Sequence, residues 1–252
     1  MKILLPPSEG KTAPDSGAPL AVSELTFPAL AEARAEVLSS LAQASEREDA
    51  LQLLGVGASL VEEVRANTLL PQAPSAPAHT VYTGVLFHAM EASDLTDVSA
   101  ERRAAVHVMS GLFGIVGIDD RIPAYRLSMG AKLPELGTMR TWWKKRLRPV
   151  LDEAFADDLV VDCRSADYRA AWPGTPDRTV TVDVVQVRDG ERKVVSHFAK
   201  HTRGELVGRL LRSPDPLPTT AEGLAEAASA WYTVELTAPT DRKPGSLTVV
   251  LT

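Results

Sequence analysis

The segment after the first apolar run carries hydroxyl and amine groups beside a glycine. Leu4-Leu5 and two prolines are followed by Ser8, Gly10, Lys11 and Thr12. Glycine allows close backbone approach to a ligand, and the other three residues supply hydrogen-bond donors, so this loop is a candidate anion site. Its glycine spacing is not that of a phosphate-binding P-loop, and ATP binding is therefore not predicted. The alternative is a surface turn with a solvated lysine.

Three further segments place glycine beside hydroxyl or guanidinium groups directly after an apolar run. They are Tyr82-Thr83-Gly84, Ser110-Gly111, and Tyr125-Arg126 with Gly130 four residues beyond. Each one alone is typical of a turn with local hydroxyl hydrogen bonds. Three in one chain favour a ligand site to which they all contribute.

Two segments in the second half are predicted to present polar side chains where a strand ends. A strand over residues 159–161 leads to a helix with Ser165 as its cap and Tyr168 in its first turns. A strand over residues 193–198 would deliver Lys200 and Arg203, which could clamp a phosphate or carboxylate. The alternative for these two cations is an exposed basic edge.

Three residues are candidate acids or bases, provided that burial shifts their pKa values: Tyr125, Tyr168 and Lys200. Metal ligands are not indicated. Apart from His197 and His201, four residues apart across the predicted strand end, the histidines show no ligand spacing, and Cys163 has no thiol partner. We predict no cofactor.

Residues 54–64 resemble the turn of helix-hairpin-helix DNA-binding motifs. Gly55-Val56-Gly57 permits a sharp turn, and the free amides of the helix that begins near Ser59 can face a phosphate. Such motifs hold the DNA backbone without reading sequence. Arg65 adds a cation, whereas Glu62-Glu63 would repel phosphate. An ordinary corner between two helices is the alternative.

A second candidate DNA contact lies in the helix predicted over residues 138–155. Lys144 and Lys145 follow Trp142 and Trp143, and such mixtures of basic and aromatic residues occur in nucleic-acid patches. Helical spacing favours the alternative, in which Trp142 is buried on an apolar face and the lysines are solvated.

Composition limits the classes of function. The chain has 252 residues, a formal net charge of −6 and one cysteine, so an internal disulfide is excluded. Dedicated nucleic-acid binders usually carry a basic excess, and any DNA binding here should be local and strongly salt-dependent. No apolar run is long enough for a signal peptide or a membrane span. These features predict a cytoplasmic protein without a membrane partner.

The apolar periodicity predicts a single α+β domain over residues 1–252, with a mixed sheet flanked by helices. Short strands are predicted at 2–5, 106–109, 159–161, 231–236 and 247–251, and a hairpin at 180–198 around Asp189-Gly190. Helices are predicted at 27–41, 49–54, 59–68, 99–105, 138–155, 204–211 and 220–228. Residues 71–79 read as a surface connector, and a helix-hairpin-helix-like element is predicted at about 49–68.

In this order, the polar segments resemble the YaaA peroxide-stress family from about residue 1 to about residue 235. The matching positions are Ser8, Lys11, Thr12, Tyr82, Thr83, Gly84, Ser110, Gly111, Gly114, Tyr125, Arg126, Met129, Gly130, Ser165, Tyr168, Lys200, Arg203 and Gly204. The chain departs from the family pattern at Phe113, at Val116-Gly117-Ile118, at Asp162-Cys163-Arg164 and at Asp167, which indicates a divergent member.

The resemblance implies double-stranded DNA binding and protection under peroxide, linked to limiting free iron. That is our first hypothesis, with Gly55, Gly57, Ser59, Arg65, Lys144 and Lys145 as DNA contacts. The second hypothesis is an enzyme or receptor for a small anion. Its cleft would be lined by Ser8, Lys11, Thr12, Tyr82, Thr83, Ser110, Arg126, Ser165, Lys200 and Arg203.

Overall fold

A mixed sheet is the centre of the fold in the computed structural model, which describes residues 1–188, 191–194 and 196–251. The strands are β1 (Lys2–Leu5), β2 (Ala76–Pro77), β3 (Val106–Ser110), β4 (Gly114–Gly117), β5 (Arg121–Ile122), β6 (Lys132–Leu133), β7 (Gly137–Thr138), β8 (Val160–Asp162), β9 (Thr179–Arg188), β10 (Glu191–Val194), β11 (Thr233–Thr237) and β12 (Gly245–Leu251). Eight of them form the sheet in the order β11-β12-β9-β8-β1-β3-β4, with β10 also paired to β9.

The middle of the sheet is parallel and its margins are antiparallel. β1 pairs in parallel with β3 on one side and with β8 on the other, and β9 and β12 continue the parallel run. β4, β10 and β11 are antiparallel additions. β3 and β8 are buried throughout, which explains why these central strands are nearly continuous apolar runs. The predicted α+β class is confirmed.

Helices cover the sheet. They are α1 (Ala31–Ser45), α2 (Ala50–Leu54), α3 (Val61–Ala66), α4 (Ala78–Val81), α5 (Val85–Ala89), α6 (Ala100–Arg103), α7 (Met139–Ala154), α8 (Ala166–Ala171), α9 (Ser196–Arg212) and α10 (Ala221–Ser229). The cap predicted for α6 is present, because the Ser99 side chain accepts a hydrogen bond from the Arg102 amide. One hydrophobic cluster extends from Ile3 to Leu247, so the chain packs as a single compact domain. No helix in the described part of the chain has the length and apolarity that crossing a bilayer requires.

The carboxyl edge of the sheet is stepped. The last residue of β8 to pair with β9 is Asp162, opposite Thr181, but β9 continues to Arg188. Beyond that step β10 takes the place of β8, and its pairing with β9 begins at Val185. The two strands of the predicted hairpin are therefore present, while its turn, Asp189-Gly190, lies outside the described residues.

The segment that was predicted to deliver Lys200 and Arg203 from a strand is helical. β10 ends at Val194, and α9 begins at Ser196, so both cations, as well as His197 and His201, belong to a helix. Gly204 is needed inside this helix because a Cβ there would lie 2.1 Å from the carbonyl oxygen of Leu86 in α5. The strand predicted over residues 193–198 was therefore wrong for residues 196–198, and residue 195 lies outside the described residues.

The apolar face predicted for α7 is present at Leu147, Leu151 and Phe155, which are buried, but its tryptophan is Trp143 and not the predicted Trp142. Trp143 is fully buried and Trp142 is half-buried. The Trp143 ring lies against Gly114, where a Cβ would be 2.6 Å from it, and its Nε1–H donates to the Gly111 carbonyl (2.8 Å). Arg146 stacks over Trp142, 3.2 Å from the ring centroid. Trp143, not Trp142, is therefore the core anchor of α7.

The two helices predicted around Gly55-Val56-Gly57 are present. α2 ends at Gly55, which has a φ of 66° and so adopts the left-handed conformation that glycine tolerates. A 3₁₀ turn, Ala58–Leu60, then leads into α3. The pair forms an exposed corner; whether it acts as a helix-hairpin-helix element towards DNA remains a prediction.

A buried ion pair fastens α8 to the end of β8. Arg164 and Asp162 are both fully buried, and the guanidinium donates to both carboxylate oxygens, at 2.8 and 2.7 Å. Arg164 also donates to the carbonyls of Trp172 (2.8 Å) and Tyr168 (3.4 Å). Asp162 and Arg164, at which the sequence departs from the family pattern, thus form an ion pair with each other inside the fold.

We expect Arg164→Met to lower the free energy of unfolding by about 3–5 kcal/mol, because it leaves the Asp162 carboxylate buried without its partner. Urea denaturation monitored by circular dichroism would measure this. Arg47→Met is the matched control, since the Arg47–Asp49 pair is exposed and should contribute little to the free energy of unfolding. Equal losses for the two variants would contradict the structural role of the buried pair.

Candidate anion site at the sheet edge

The predicted polar loops meet at one edge because their strands are parallel. The carboxyl ends of β1, β3 and β8 lie side by side, and each continues into a segment singled out from the sequence. After β1 the chain leads to β3 on one side, and after β8 it leads to β9 on the other. Ligands of such sheets bind where neighbouring connections diverge in this way. The loop of residues 6–12 begins at that position.

Hydrogen bonds from a distant turn hold this loop. Ser8 Oγ accepts from the Thr83 amide (2.9 Å), and the Thr12 amide donates to the Val81 carbonyl (2.9 Å). Lys11 Nζ donates back to the Ser8 carbonyl (2.9 Å). The loop is therefore closed on itself and attached to residues 81–83, so that Lys11 has a defined position.

Aromatic rings cover the Lys11 amine. Nζ lies 4.4 Å from the ring centroid of Tyr125 and 5.6 Å from that of Tyr82. Ring faces attract a cation within about 6 Å, so both rings favour the ammonium form and partly offset the loss of water around it.

A chain of hydroxyl groups lies beneath the lysine. Ser110 Oγ is 2.7 Å from Tyr125 Oη, which is 2.9 Å from Tyr82 Oη. Ser110 Oγ also accepts from the amides of Leu112 and Phe113, at 3.2 and 3.0 Å. Because a hydroxyl accepts only two such bonds, the Ser110 proton is directed at Tyr125.

Tyr82, Tyr125 and Tyr168 are neutral phenols at pH 7. Burial raises the pKa of Tyr125 to about 12 and that of Tyr82 well above its ordinary value. Burial, followed by the influence of Tyr125, also raises the pKa of Tyr168. The roles predicted for Tyr125 and Tyr168 as acid or base remain predictions, but these directions favour the neutral phenols.

The titratable group that the environment tunes most usefully is Lys11. Burial lowers its pKa to about 7, and the positive charge of Arg126 adds to the shift, whereas Glu63 and Glu9 oppose it. Both the charged and the neutral amine are therefore populated near pH 7. The sequence marked Lys11 as an anion ligand but gave no sign of this shift, because the burial of one loop residue cannot be read from local spacing.

Arg126 is fixed by a residue that sequence reasoning missed. The Arg126 amide donates to Asn67 Oδ1 (2.9 Å), and Asn67 Nδ2 donates to the Arg126 carbonyl (3.0 Å). Asn67 is buried, directly after α3. The guanidinium pairs with Glu63 of α3, which accepts from Nε (2.9 Å) and from Nη2. Neither partner had a sequence signal, since each lies about sixty residues from Arg126.

Not every predicted ligand residue joins this cluster. Arg203 donates to the Val182 carbonyl (2.7 Å) and lies 3.6 Å from an Asp183 oxygen, so its contacts among the described residues are with β9 rather than with Lys11. Its charge does reach Cys163, whose pKa burial raises to about 12. Ser165 is the first residue outside α8 but its side chain makes no cap hydrogen bond, and Lys200 is exposed on α9.

The residues predicted to contact DNA are exposed, but one of their cations, Arg65, is already in an ion pair. Gly55, Gly57 and Ser59 lie at the open corner between α2 and α3. Arg65 is already paired with Glu62 at 2.7 Å. Lys144 and Lys145 are exposed on α7. The predicted DNA contacts thus fall into two groups, one at the corner between α2 and α3 and one on α7.

A cavity of about 320 Å³ lies at the opposite, amino end of the sheet. Leu159 and Arg178 line it, together with the start of α10, but none of the predicted ligand residues does. Arg178 is 3.7 Å from Asp177, so its charge is already matched. We therefore place the candidate site where the predicted polar side chains meet, and not at this cavity. Within the described residues there is no group of three or more His, Cys, Asp or Glu side chains suited to a metal ion.

The fold and the site define an α+β protein with a lysine and an arginine placed together at the carboxyl edge of a mixed sheet. A family model described as peroxide stress protein YaaA matches residues 1–235. The chain belongs to this family, as its ordered motifs predict.

Its relatives include a UPF0246 protein of Streptomyces coelicolor, 45% identical over 100% of this chain and 98% of the relative. A UPF0246 protein of Corynebacterium efficiens is 43% identical over 94% of this chain and 95% of its own length. One from Corynebacterium glutamicum is 41% identical over 93% and 95%, respectively. These proteins are similar to the chain over nearly their full lengths.

We expect the Lys11 amine to titrate near pH 7, well below the ordinary lysine value of about 10.4. Carbon-13 NMR of the lysine Cε resonances would measure it, with Lys11→Arg identifying the signal. A Lys11 midpoint above about pH 9 would contradict the described environment.

The same shift predicts a pH-dependent stability difference. The unfolded chain binds more protons at Lys11 than the folded chain between the folded and unfolded pKa values, so wild-type stability should rise with pH in that window. Lys11→Met should therefore be more stable by about 1–2 kcal/mol near pH 6, with the gain shrinking above pH 7. Chemical denaturation of both proteins at several pH values tests the sign; a gain that grows with pH would contradict it.

Proposed function

We propose that this member of the YaaA family binds a small anion bearing a phosphate or carboxylate group between Lys11 and Arg126. The observation that carries the proposal is that Lys11 Nζ lies 4.4 Å from the ring centroid of Tyr125, the residue before the mostly buried Arg126, so that two cations share one edge. In keeping with this, the charge of Arg126 contributes to the lowered pKa of the Lys11 amine. Like charges at a partly buried edge destabilise the empty protein, and an anion between them removes that cost.

The two cations suit different parts of such a ligand. The Arg126 guanidinium is a planar fork that matches the two oxygens of a carboxylate or phosphate, while the Lys11 ammonium acts as a point charge. Tyr82, Tyr125 and Ser110 supply neutral hydroxyl groups beside them. A neutral Lys11 amine can also accept a proton from a bound molecule, so the site has the parts for proton transfer as well as binding.

The family membership connects this site with peroxide stress. We propose that recognition of the anion is the chemical part of that role, and that protection from damage linked to free iron follows from it indirectly. The proposal assigns no metal ligand to the chain.

Anion affinity is expected to fall as pH rises. Sulfate and oxalate are suitable probes because their charges stay constant between about pH 6 and pH 9. If only the protonated amine binds, the affinity of the wild type should drop about tenfold per pH unit above the midpoint of Lys11. Calorimetric titration of the full chain would measure it.

Two variants of Lys11 and one control variant make this test specific. Lys11→Arg should bind without the pH dependence, since its charge is permanent, and Lys11→Met should bind at least about tenfold more weakly at pH 6. Lys200→Met removes an exposed lysine on α9 and should change neither value. No binding of either probe by the wild type at pH 6 would refute the proposed function.

A second candidate function, double-stranded DNA binding, is favoured by the open corner between α2 and α3. A Cβ added at Gly55 or Gly57 would meet nothing within 4 Å, so an approaching phosphate backbone has access to this turn. Glu62 and Glu63 in the first turn of α3 act against it. We therefore place it second to the anion site.

DNA binding through this corner should weaken steeply with salt and respond to Gly57. Gly57 has a φ of −77°, so Gly57→Leu is compatible with the backbone, whereas the left-handed Gly55 would also be strained. We expect the variant to lose about tenfold in affinity for a DNA duplex without a loss of thermal stability. Lys144→Gln should reduce the salt dependence, and Lys200→Gln should not. Affinity that is flat from low to physiological salt would exclude this function.

A further inference from the structure

The anion-binding face of Arg126 is already occupied by a side chain of the protein itself. The guanidinium is mostly buried, with 12% of the side chain exposed, and it donates from both Nε and Nη2 to one carboxylate oxygen of Glu63. Glu63 is half-exposed, at 51%. Arginine binds carboxylate ligands through the same N–H groups, although here both donors meet one oxygen instead of two, and the carboxylate comes from α3.

We propose that Glu63 is an internal competitor that determines which anions the site accepts, and that a ligand must displace its carboxylate from Arg126. This inference rests on the proposed function, because it concerns the same two cations. Its subject is the selectivity of the site for highly charged or bidentate anions over simple monocarboxylates.

The two sides of the Glu63–Arg126 pair differ in mobility. The Arg126 backbone is held at both its amide and its carbonyl by Asn67, so the guanidinium stays at the sheet edge. Among the described residues, Glu63 contacts Arg126 through its half-exposed side chain on the solvent face of α3. Val64 beside it is buried and keeps the helix in place. Displacement therefore requires a rotation of the Glu63 side chain and no movement of α3.

Charge explains the selectivity. With Glu63 in place, one negative charge already faces the two cations, and the same carboxylate supports the protonated form of Lys11. A monocarboxylate such as acetate would replace one carboxylate by another and gain little. A dianion such as sulfate or oxalate brings a second charge for Lys11 and so gains an interaction that Glu63 does not provide.

The neighbouring residue offers a matched control. Glu62 precedes Glu63 on the same helix, carries the same charge and is exposed, but it pairs with Arg65 within α3. Glu63→Gln and Glu62→Gln thus change the net charge equally, and only the first releases Arg126. We expect Glu63→Gln to unfold at a somewhat lower temperature than Glu62→Gln, because the mostly buried Arg126 guanidinium loses the charge of its partner, but both variants should stay folded at the temperature of the titration.

The test is calorimetric titration of the full chain and both variants with sulfate and with acetate near pH 6. We expect Glu63→Gln to bind sulfate about tenfold more tightly than the wild type, and to bind acetate measurably where the wild type does not. Glu62→Gln should stay within about twofold of the wild type.

The possible failures are distinguishable. If the wild type binds sulfate and Glu63→Gln binds it no more tightly than Glu62→Gln does, the competitor role is wrong and the proposed function stands. An equal gain in both variants would show a general charge effect and would also overturn the inference. If none of the three proteins binds either anion, the proposed function itself fails, and the inference fails with it.

Discussion

The candidate site depends on keeping two positive charges close together at the edge where parallel strands end. Lys11 reaches that edge from the loop after β1, and Arg126 reaches it from a segment held by Asn67. Neither position is favourable for a cation alone, since burial and mutual repulsion both oppose the charged state of the lysine. The surrounding carbonyls, tyrosine rings and Glu63 offset part of this cost. Such an arrangement is typical of a binding site, because optimising stability alone would remove one of the charges.

The parts that support the site are themselves rigid. Asp162 and Arg164 bind α8 to β8, and α8 carries Tyr168. Gly204 allows α9 to contact the backbone of α5, which begins directly after Thr83 and Gly84. The elements on either side of the site are thus fixed by close packing, and the side chain of Glu63 is the exposed and adjustable component. Fixed elements with one exposed side chain between them fit a pre-formed site in which a ligand exchanges with the Glu63 carboxylate.

Local sequence patterns predicted the central strands because β1, β3 and β8 are short apolar runs buried on both faces. They also predicted that Lys11, Ser110 and Arg126 belong together. They failed where the deciding contacts are distant. The valines before Ser196 resemble a continuing strand, so the helix was predicted to begin only at Gly204. In the structure α9 begins at Ser196, and the glycine inside it is required by its close contact with Leu86 of α5. Trp142 and Trp143 are adjacent on α7, and the space beside Gly114 determines that Trp143 is the buried one. Glu63 and Asn67 meet Arg126 across about sixty residues, a pairing that no spacing rule contains.

The stepped carboxyl edge also affects the route by which molecules reach the site. From Thr181 to Arg188, β9 extends past β8 by seven residues, roughly 23 Å of extended chain, with β10 and β12 alongside it. This projecting part of the sheet stands as a wall on one side of the loops that follow β8. A molecule that approaches the sheet edge from the β9 side has to pass this projection, which constrains the orientation of a long rigid molecule more than that of a small anion.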